Sequence, residues 1–533
     1  MKTVVLRVLL SLSTATIASQ APAQSREPEI HLDADTPGAT INPNIFGQFA
    51  EMLGEGVYGG IWVGPESKIP NVRGIRTDVV QALRALKVPN VRWPGGCYAD
   101  QYHWRDGVGP TSQRKVRVNA SWGDSIEPNT FGTHEFMDFV DQIGSQAYLS
   151  VNVGSGTVQE AAAWLEYMTG DARTSLGAER SRNGRKEPWR IKYLGLGNES
   201  WGCGGSFAPE SYVEKMKPFS AFVQNYNPAQ RTDLIKTGTD PMQRIAVAQD
   251  LGHPGYAEAV MSAWKARTVP YWNIEGLSLH LYTMIAPLPM VDDSVNFGEK
   301  EYAQLLKKTY LMDDMIVEHG AIMDKYDPRK RVAMVIDEWG AWLKPTGKNF
   351  LFLRQQNTLR DAVLAAVNLN IFMRHADRVR MTNIAQMVNV IQSMILTEGA
   401  KMILTPTYHV FRMYVPFQGA QAVPLSVSAG DYTFGGVTLP RVDATAARGK
   451  DGAVWLAVTN IDPSREARVS VTLNGVTARG AVGETLTAGK VNASNSFDAP
   501  DAVAPRPIKA AAAGSVLTLQ LPAASVSVLK LVQ

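Results

Sequence analysis

Two glutamates follow short apolar runs, at positions where their carboxylates could act on a substrate. Glu199 closes the segment 194–199, LGLGNE, and Glu338 lies within the segment 334–339, MVIDEW. A pair of carboxylates at one site suits the cleavage of a glycosidic bond, in which one acts as an acid and the other as a nucleophile or base. Either glutamate alone has a simpler explanation, as a solvated carboxylate or as the partner of a basic side chain. The catalytic interpretation therefore requires a fold that brings both together.

Other motifs with chemical meaning are incomplete. Segment 54–59 fits the GxGxxG pattern, but Trp, Gly and Pro follow it in place of an amphipathic helix. His134 and Glu135 begin like a zinc-binding HExxH motif, but position 138 is Asp, so the second imidazole is missing. A metal hydrolase is therefore a less favoured alternative. His280 lies at the end of an apolar run, where its simplest interpretation is a polar core or rim residue.

The elements that would carry these residues alternate along most of the chain. Eight apolar runs are strand candidates: 45–49, 88–93, 147–153, 191–196, 245–248, 274–281, 331–336 and 379–384. Helices are predicted at 77–87, 134–143, 158–168, 210–226, 256–266, 302–326 and 358–374, with Thr157 capping the third. This alternation indicates a (β/α)8 TIM barrel, although a doubly wound sheet has the same local pattern. In a barrel, Glu199 and Glu338 follow strands four and seven and meet at the C-terminal rim.

The helical period disappears after about residue 414. Short strands are predicted at 432–439, 453–459, 467–473, 484–486, 515–521 and 525–532, and the Ala-rich stretch 510–513 is predicted to be a loop. The strand-like segment 29–33, ahead of the barrel, is expected to join this β-sandwich. The predicted organisation is a signal peptide at 1–23, an N-terminal strand segment at 24–40, a catalytic barrel at 41–402 and a C-terminal β-sandwich at 403–533.

Composition excludes several classes of protein. The chain has 533 residues and a net charge of +3, from 53 Lys and Arg against 50 Asp and Glu. Such a length allows roughly two or three domains, or one large barrel with an appended module. So small a net charge provides no excess of positive charge to attract phosphates, and nucleic acid is therefore not an expected partner. Twelve Trp and 17 Tyr suit either a large core or a sugar-binding cleft.

The N-terminus has the pattern of a secretory signal. Lys2 and Arg7 precede and interrupt an apolar run from Val4 to Ile17, and residues 21–23, APA, offer small side chains for cleavage. This pattern predicts export, to the periplasm or the medium. The alternative is a short membrane anchor, but the run is shorter than the roughly 18–20 residues of a span. No membrane partner is expected after cleavage.

Six blocks of residues, in this order, point to one enzyme family: 46–51 (FGQFAE), 92–96 (RWPGG), 106–110 (DGVGP), 197–199 (GNE), 337–340 (DEWG) and 383–386 (NIAQ). On these blocks the chain resembles the α-L-arabinofuranosidases of glycoside hydrolase family 51 over essentially its whole mature length. The resemblance implies a barrel with catalytic carboxylates on strands four and seven, followed by a jelly-roll sandwich that takes an N-terminal strand. It also implies a homo-oligomer and no metal or cofactor.

The resemblance implies a role for each catalytic residue. Glu199 resembles the general acid/base, and Glu338 resembles the nucleophile of a retaining double displacement. Arg92 and Tyr282 resemble residues that hold the nucleophile ionised and aimed at the sugar. Asn198 resembles the partner of the sugar's 2-hydroxyl group.

The remaining substrate-binding residues follow from the same resemblance. Glu51 and Gln386 resemble ligands of the sugar hydroxyls, and His280 is included in the expected substrate-binding set. Trp122 and Trp342 resemble the ring walls of the sugar pocket, with core packing as the alternative.

Cys97 is included in the expected substrate-binding set, but it departs from one common family pattern. Many members carry Asn after the Pro-Gly-Gly turn, and a thiol is a weaker donor than that amide. Cys203 is the only other cysteine, so the two could form a disulfide. Strands two and four are not neighbours in a barrel, which argues against a short enough distance between them.

The sequence therefore predicts an exported, retaining, exo-acting α-L-arabinofuranosidase. Its expected substrates are arabinan, arabinoxylan or the oligosaccharides derived from them. Two alternatives remain open: a related retaining β-glucanase or β-xylosidase on the same scaffold, and a carbohydrate-binding protein whose barrel no longer catalyses.

Overall fold

Eight parallel strands close into a barrel in the computed structural model, which describes residues 27–232, 237–348 and 350–533. In chain order they are Gly47–Phe49, Asn90–Trp93, Gln146–Val151, Tyr193–Leu196, Gln243–Val247, Gly276–Thr283, Ala333–Ala341 and Val379–Ile384. The eighth strand pairs with the first through Asn383 and Gly47, which closes the sheet. The predicted (β/α)8 barrel is confirmed, and the doubly wound alternative is excluded.

The helices that surround and follow the strands largely match the amphipathic stretches of the sequence. They are Thr77–Ala85, Thr133–Ile143, Val158–Thr169, Ser175–Arg182, Pro209–Phe222, Gly255–Ala266, Glu299–Thr309, Leu311–Tyr326, Leu359–Arg374 and Pro406–Met413. Thr157 caps its helix as predicted, because its hydroxyl accepts a hydrogen bond from Glu160 N at 3.1 Å. Among the described residues, no helix has the length and apolar character needed to cross a membrane.

Three helical features differ from the sequence-based prediction. The stretch 302–326 is not one helix but two, which meet at Tyr310. Helix Ser175–Arg182 was not predicted, because only Gly177 and Arg180 are buried and no apolar period marks it. The short helix Pro406–Met413 lies between the predicted end of the barrel and the first strand of the following domain.

The C-terminal part is an all-β domain, as predicted, and it is built on one ten-stranded sheet. In sheet order its strands are Gln421–Val423, Val442–Arg448, Val454–Asn460, Ser525–Val532, Gly480–Leu486, Arg506–Ala513, Val516–Leu521, Ala467–Asn474, Glu29–Asp33 and Leu425–Ser428. The N-terminal strand joins this sheet, since Ile30 pairs with Val471 in parallel and with Val427 in antiparallel register. A more specific jelly-roll topology remains a prediction.

Two predictions for this region are wrong. The run 432–439 is not one strand but a hairpin, Asp431–Phe434 with Val437–Pro440, because Gly435 and Gly436 turn the chain at φ values of 57° and 80°. The Ala-rich stretch 510–513 is not a loop but the end of strand Arg506–Ala513. Its alanines alternate between half-buried and exposed positions, a two-residue period that small side chains hide from a hydrophobicity pattern.

Three further hairpins lie outside the barrel and the large sheet. They are Asn71–Val72 with Ile75–Arg76, Arg117–Asn119 with Ser125–Glu127, and Ile395–Glu398 with Lys401–Leu404.

The barrel and the all-β domain are packed against one another. Helix Leu359–Arg374 is buried along nearly its whole length, and residues of the large sheet join the same apolar core. Polar contacts reinforce this packing: Asp443 accepts hydrogen bonds from Asn370 at 2.8 Å and from Arg374 at 2.9 Å. The all-β domain also has a core of its own. It therefore braces the side of the barrel.

Candidate active site

The two candidate glutamates meet at the C-terminal rim of the barrel. Glu338 lies within strand seven, Ala333–Ala341, and Glu199 lies three residues past strand four, with a left-handed backbone at φ 36°. One carboxylate oxygen of each lies within 4.8 Å of the other. Strand direction explains this convergence, because the C-terminal ends of all barrel strands face the same side.

Glu338 is held by two neighbours that the sequence placed with it. Arg92, from strand two, donates from Nη1 to Glu338 Oε1 at 2.7 Å, and Tyr282, from strand six, donates its hydroxyl to Oε2 at 2.7 Å. The arginine also donates to the Asn198 side-chain oxygen. One buried guanidinium therefore links the Glu338 carboxylate to the residue that precedes Glu199.

His280 lies between the two glutamates. Its Nδ1 lies 2.9 Å from Glu199 Oε1 and 3.6 Å from Glu338 Oε1, and its Nε2 lies 3.3 Å from Asp337 Oδ1. Burial would lower the pKa of His280, but the three carboxylates raise it to about 10. The side chain is therefore an imidazolium at neutral pH and more than the polar core or rim residue of the simplest interpretation.

Glu51, Gln386 and the two predicted tryptophans form a wall next to Glu338. Trp122 donates from Nε1 to Glu51 Oε1 at 3.0 Å, and Gln386 donates from Nε2 to Glu51 Oε2 at 3.4 Å. The Trp122 and Trp342 rings lie with centroids 6.3 Å apart. Both rings are only partly buried, so part of each faces solvent while the rest packs against a small apolar cluster.

The charge state of Glu51 is sensitive to this environment. Burial, together with the negative charge of Glu338, raises the pKa of Glu51 to about 7. The two glycines of the Pro-Gly-Gly turn are required because the Glu51 and Glu338 side chains pack closely against them. A Cβ atom on Gly95 would lie 2.9 Å from Glu51 Cγ, and one on Gly96 would lie 3.1 Å from Glu338 Oε1.

Two buried aspartates support the site and were not singled out from the sequence. Asp337 accepts the Tyr148 hydroxyl at 2.6 Å, and Arg92 and His280 hold the pKa of Asp337 below its usual range although burial opposes this. Asp100 accepts backbone N–H groups of Val153 at 2.8 Å and of Asn198 at 3.0 Å. Asp337 could have been noticed within its motif, whereas nothing in the sequence around Asp100 marks it.

Cys97 and Cys203 form a disulfide, with Cα atoms 5.4 Å apart. The separation of strands two and four does not prevent this, because both cysteines lie in loops that extend over the rim. Asp100 holds these loops together through its bond to the backbone of Asn198. As half of a disulfide, Cys97 has no thiol hydrogen, so the weak donor considered for substrate binding is absent in this state.

Comparison with known proteins gives consistent matches along the chain. The family model described as the alpha-L-arabinofuranosidase 1 domain matches residues 82–267, and the alpha-L-arabinofuranosidase C-terminal domain matches residues 337–525. A protein of Bacteroides ovatus, named an intracellular exo-alpha-L-arabinofuranosidase, is 41% identical over 532 residues, which cover 99% of this chain and 100% of the relative.

Solved structures agree with these matches. The GH51 arabinofuranosidase from Xanthomonas axonopodis pv. citri superposes with a TM-score of 0.90 and 46% identity, covering 95% of this chain and 99% of that one. An alpha-L-arabinofuranosidase from Thermotoga maritima, solved as an arabinose complex, has a TM-score of 0.80 and 29% identity, with coverage of 95% and 99%.

One prediction is overturned by these comparisons. The relative from Bacteroides ovatus aligns along nearly the whole chain and is named intracellular, which contradicts the predicted export. The prediction of export is therefore wrong. It relied on a short apolar run behind basic residues, and such a composition does not by itself determine where a chain is located. The predicted signal peptide, 1–23, lies outside the described residues.

Proposed function

The chain belongs to the α-L-arabinofuranosidases of glycoside hydrolase family 51, and we propose that it removes terminal arabinofuranose with retention of configuration. Its proposed substrates are arabinan, arabinoxylan and the oligosaccharides derived from them. The exo mode of action is supported by the name of the Bacteroides ovatus relative.

The observation that carries the retaining mechanism is the short distance between the two carboxylates. Oxygens of Glu199 and Glu338 approach within 4.8 Å. Retaining glycosidases hold their carboxyl groups about 5–5.5 Å apart, whereas inverting enzymes need about 6.5–9.5 Å to admit a water molecule. An approach this short favours the retaining arrangement, in which Glu338 itself attacks the anomeric carbon.

The reaction then proceeds in two displacements. In the first, Glu338 forms an ester with the anomeric carbon while Glu199 gives its proton to the departing oxygen. In the second, Glu199 takes a proton from water, and the water oxygen displaces Glu338. Arg92 and Tyr282 bind both oxygens of Glu338, which fixes the carboxylate on the face of the sugar that it attacks.

The surrounding polar groups are suited to an arabinofuranose ring. Asn198 is proposed to bind the 2-hydroxyl group, and Glu51 with Gln386 to bind other hydroxyls of the same sugar. Trp122 and Trp342 present flat faces to the ring. These assignments explain why so many buried polar side chains lie around one small cleft.

A panel of substrates tests this proposal. Wild-type enzyme is incubated with aryl α-L-arabinofuranoside, β-D-xyloside and β-D-glucoside, and with arabinan and arabinoxylan, and the first product is examined by proton NMR. We expect selective release of arabinose in its α form. Release of the β anomer would contradict retention. Selective cleavage of the xyloside or glucoside, or binding without cleavage of any substrate, would favour the two alternatives considered from the sequence.

We also propose that the enzyme is a homo-oligomer, which rests on the family resemblance. Exposed apolar side chains support this proposal, among them Val118 and Ile126, which pair on one hairpin and are 53% and 67% exposed. Analytical ultracentrifugation of the enzyme tests it, and a single species with the mass of one chain would contradict it.

A further inference from the structure

Two sulfur atoms lie beside the proposed acid/base. The Sγ atom of Cys203 is 3.5 Å from Glu199 Oε2. The Sγ atoms of Cys97 and Cys203 and one oxygen of Glu199 all lie within 4.8 Å of one another. Cys203 is exposed and Cys97 is half-buried, so solvent and solutes reach this group from the mouth of the barrel.

The disulfide determines what this group can bind. While the two sulfurs are joined, neither is a thiolate, and a disulfide is a poor metal ligand. A dithiol reductant supplies two electrons and two protons to the S–S bond, which leaves two thiols on the protein and a disulfide on the reductant. Loss of the thiol protons then provides two soft anionic ligands next to a carboxylate.

We propose that reduction of the Cys97–Cys203 disulfide creates a binding site for a thiophilic divalent cation such as Zn²⁺, with Glu199 as the third protein ligand. Zn²⁺ binds thiolates at about 2.3 Å and carboxylates at about 2.0–2.2 Å, and water completes a tetrahedron at an open site. The Cα atoms of the two cysteines are 5.4 Å apart, so both thiolates reach one ion by rotating their side chains.

The neighbouring group of Glu199, His280 and Glu338 is a poorer metal site. Its ligand atoms also lie within 4.8 Å of one another. However, Arg92 and Tyr282 already bind the two oxygens of Glu338. Nδ1 of His280 also lies 2.9 Å from Glu199 Oε1, so an ion there would have to displace the hydrogen bond between them. Among the described residues, the sulfur-containing group is therefore the better candidate.

Metal binding at this site has a consequence for catalysis, which rests on the proposed role of Glu199. A carboxylate bound to Zn²⁺ neither gives a proton to the leaving oxygen nor takes one from water. The cation therefore inhibits the reduced enzyme and leaves the oxidised enzyme active. A chelator such as EDTA reverses the inhibition, because no covalent bond to the protein is formed.

The test compares zinc binding with activity in two redox states. Wild-type enzyme is prepared oxidised, or reduced with a phosphine and desalted without oxygen, and bound Zn²⁺ is measured by equilibrium dialysis. Co²⁺ is used in parallel, because a thiolate-to-cobalt charge-transfer band reports sulfur ligation directly. The Cys203→Ser variant removes one ligand. The His253→Ala variant is the matched control for surface binding, since His253 is exposed and pairs only with Asp250 among the described residues.

We expect reduced wild type and reduced His253→Ala to bind one Zn²⁺ per chain, to show the cobalt–thiolate band and to lose activity until EDTA is added. Oxidised wild type and Cys203→Ser should show none of these. Equal zinc binding by oxidised and reduced wild type, or by Cys203→Ser, would overturn the site. If the reduced enzyme binds Zn²⁺ through sulfur yet stays active, Glu199 is not the third ligand, and the proposed site is overturned while the proposed role of Glu199 in catalysis is not.

Discussion

Nδ1 of His280 lies 2.9 Å from Oε1 of Glu199, so a side chain of strand six is hydrogen-bonded to the proposed acid/base. The same ring reaches Asp337 through Nε2 at 3.3 Å. Burial would lower the pKa of His280, but the surrounding carboxylates raise it to about 10. A cation therefore lies among three carboxylates, where it offsets part of their mutual repulsion.

This cation should stabilise the fold in a pH-dependent way. The pKa of His280 is raised from 6.5 to about 10 in the folded protein, so its contribution is complete below pH 6.5 and is lost as the pH rises towards 10. We therefore expect the Tm of His280→Gln to fall furthest below that of wild type near pH 6, with the gap narrowing towards pH 10. Differential scanning calorimetry measures this difference in Tm, with His253→Gln as the control at an exposed position. A gap that is constant across this range would contradict the assigned charge.

Unlike His280, which the folded protein favours in its charged form, Glu51 should be favoured in its neutral form. Burial and Glu338 raise its pKa from 4.5 to about 7, so the folded protein favours the protonated form. The contribution of Glu51 to the free energy of unfolding is therefore complete below pH 4.5 and is lost as the pH rises through 7. We expect the Tm of Glu51→Gln, relative to wild type, to increase between pH 4.5 and 8, by the equivalent of up to roughly 3 kcal/mol. Glu214→Gln, at a mostly exposed position, is the control, and a relative Tm that falls with pH would refute this account.

Asp100 should act as a positioning residue. It accepts the Asn198 N–H at 3.0 Å and thereby fixes the turn that carries Glu199. The other oxygen of Asp100 accepts the N–H groups of Val153 and Gly154. Asp100→Asn keeps an oxygen for these two but loses the acceptor for Asn198. We expect kcat to fall by roughly 10²-fold, because small misplacements of catalytic groups have effects of this size, with little change in KM. An unchanged kcat together with a lowered Tm would show that Asp100 only stabilises the fold.

Tyr282 offers a substitution that removes a single hydrogen bond. Its hydroxyl donates to Glu338 Oε2 at 2.7 Å, while its ring packs against Trp342 with centroids 4.8 Å apart. Tyr282→Phe keeps the ring and loses the bond, and bonds to charged groups contribute about 1.5–3 kcal/mol. We expect kcat/KM on an aryl arabinofuranoside to fall roughly tenfold to 100-fold. The matched control is Tyr302→Phe, which removes a buried hydroxyl that donates to Ile461 O at 2.7 Å, on the side of the barrel that faces the all-β domain. An equal loss in both variants would contradict a specific role.

Much of this site could be predicted from the sequence, because the spacing of the apolar runs and the short family motifs both indicate it. Alternating apolar runs predicted all eight barrel strands, and their ends placed Glu199 and Glu338 on one rim. The resemblance of short motifs then supplied Arg92, Tyr282 and Glu51. Such residues are predictable because their positions depend on strand direction and on local sequence, both of which can be read along the chain.

The remaining features depend on contacts between distant loops. Nothing in the sequence shows that the loops carrying Cys97 and Cys203 approach within 5.4 Å, since strand three lies between their strands. Asp100 has no motif of its own, and its function depends on a hydrogen bond across those loops. The charge of His280 likewise follows from three carboxylates, two on strand seven and one just past the end of strand four.

The most direct test of the two-carboxylate mechanism is to trap and locate the covalent intermediate. Glu199→Ala is mixed with an aryl α-L-arabinofuranoside whose leaving group needs no protonation, and the protein is digested and examined by mass spectrometry. Because this variant forms the ester but lacks the base that activates water, we predict an arabinosyl adduct on Glu338. The double variant that combines Glu199→Ala with Glu338→Gln should carry no arabinosyl adduct. An adduct on Glu51 or Asp337, or release of inverted arabinose with no adduct, would contradict the mechanism.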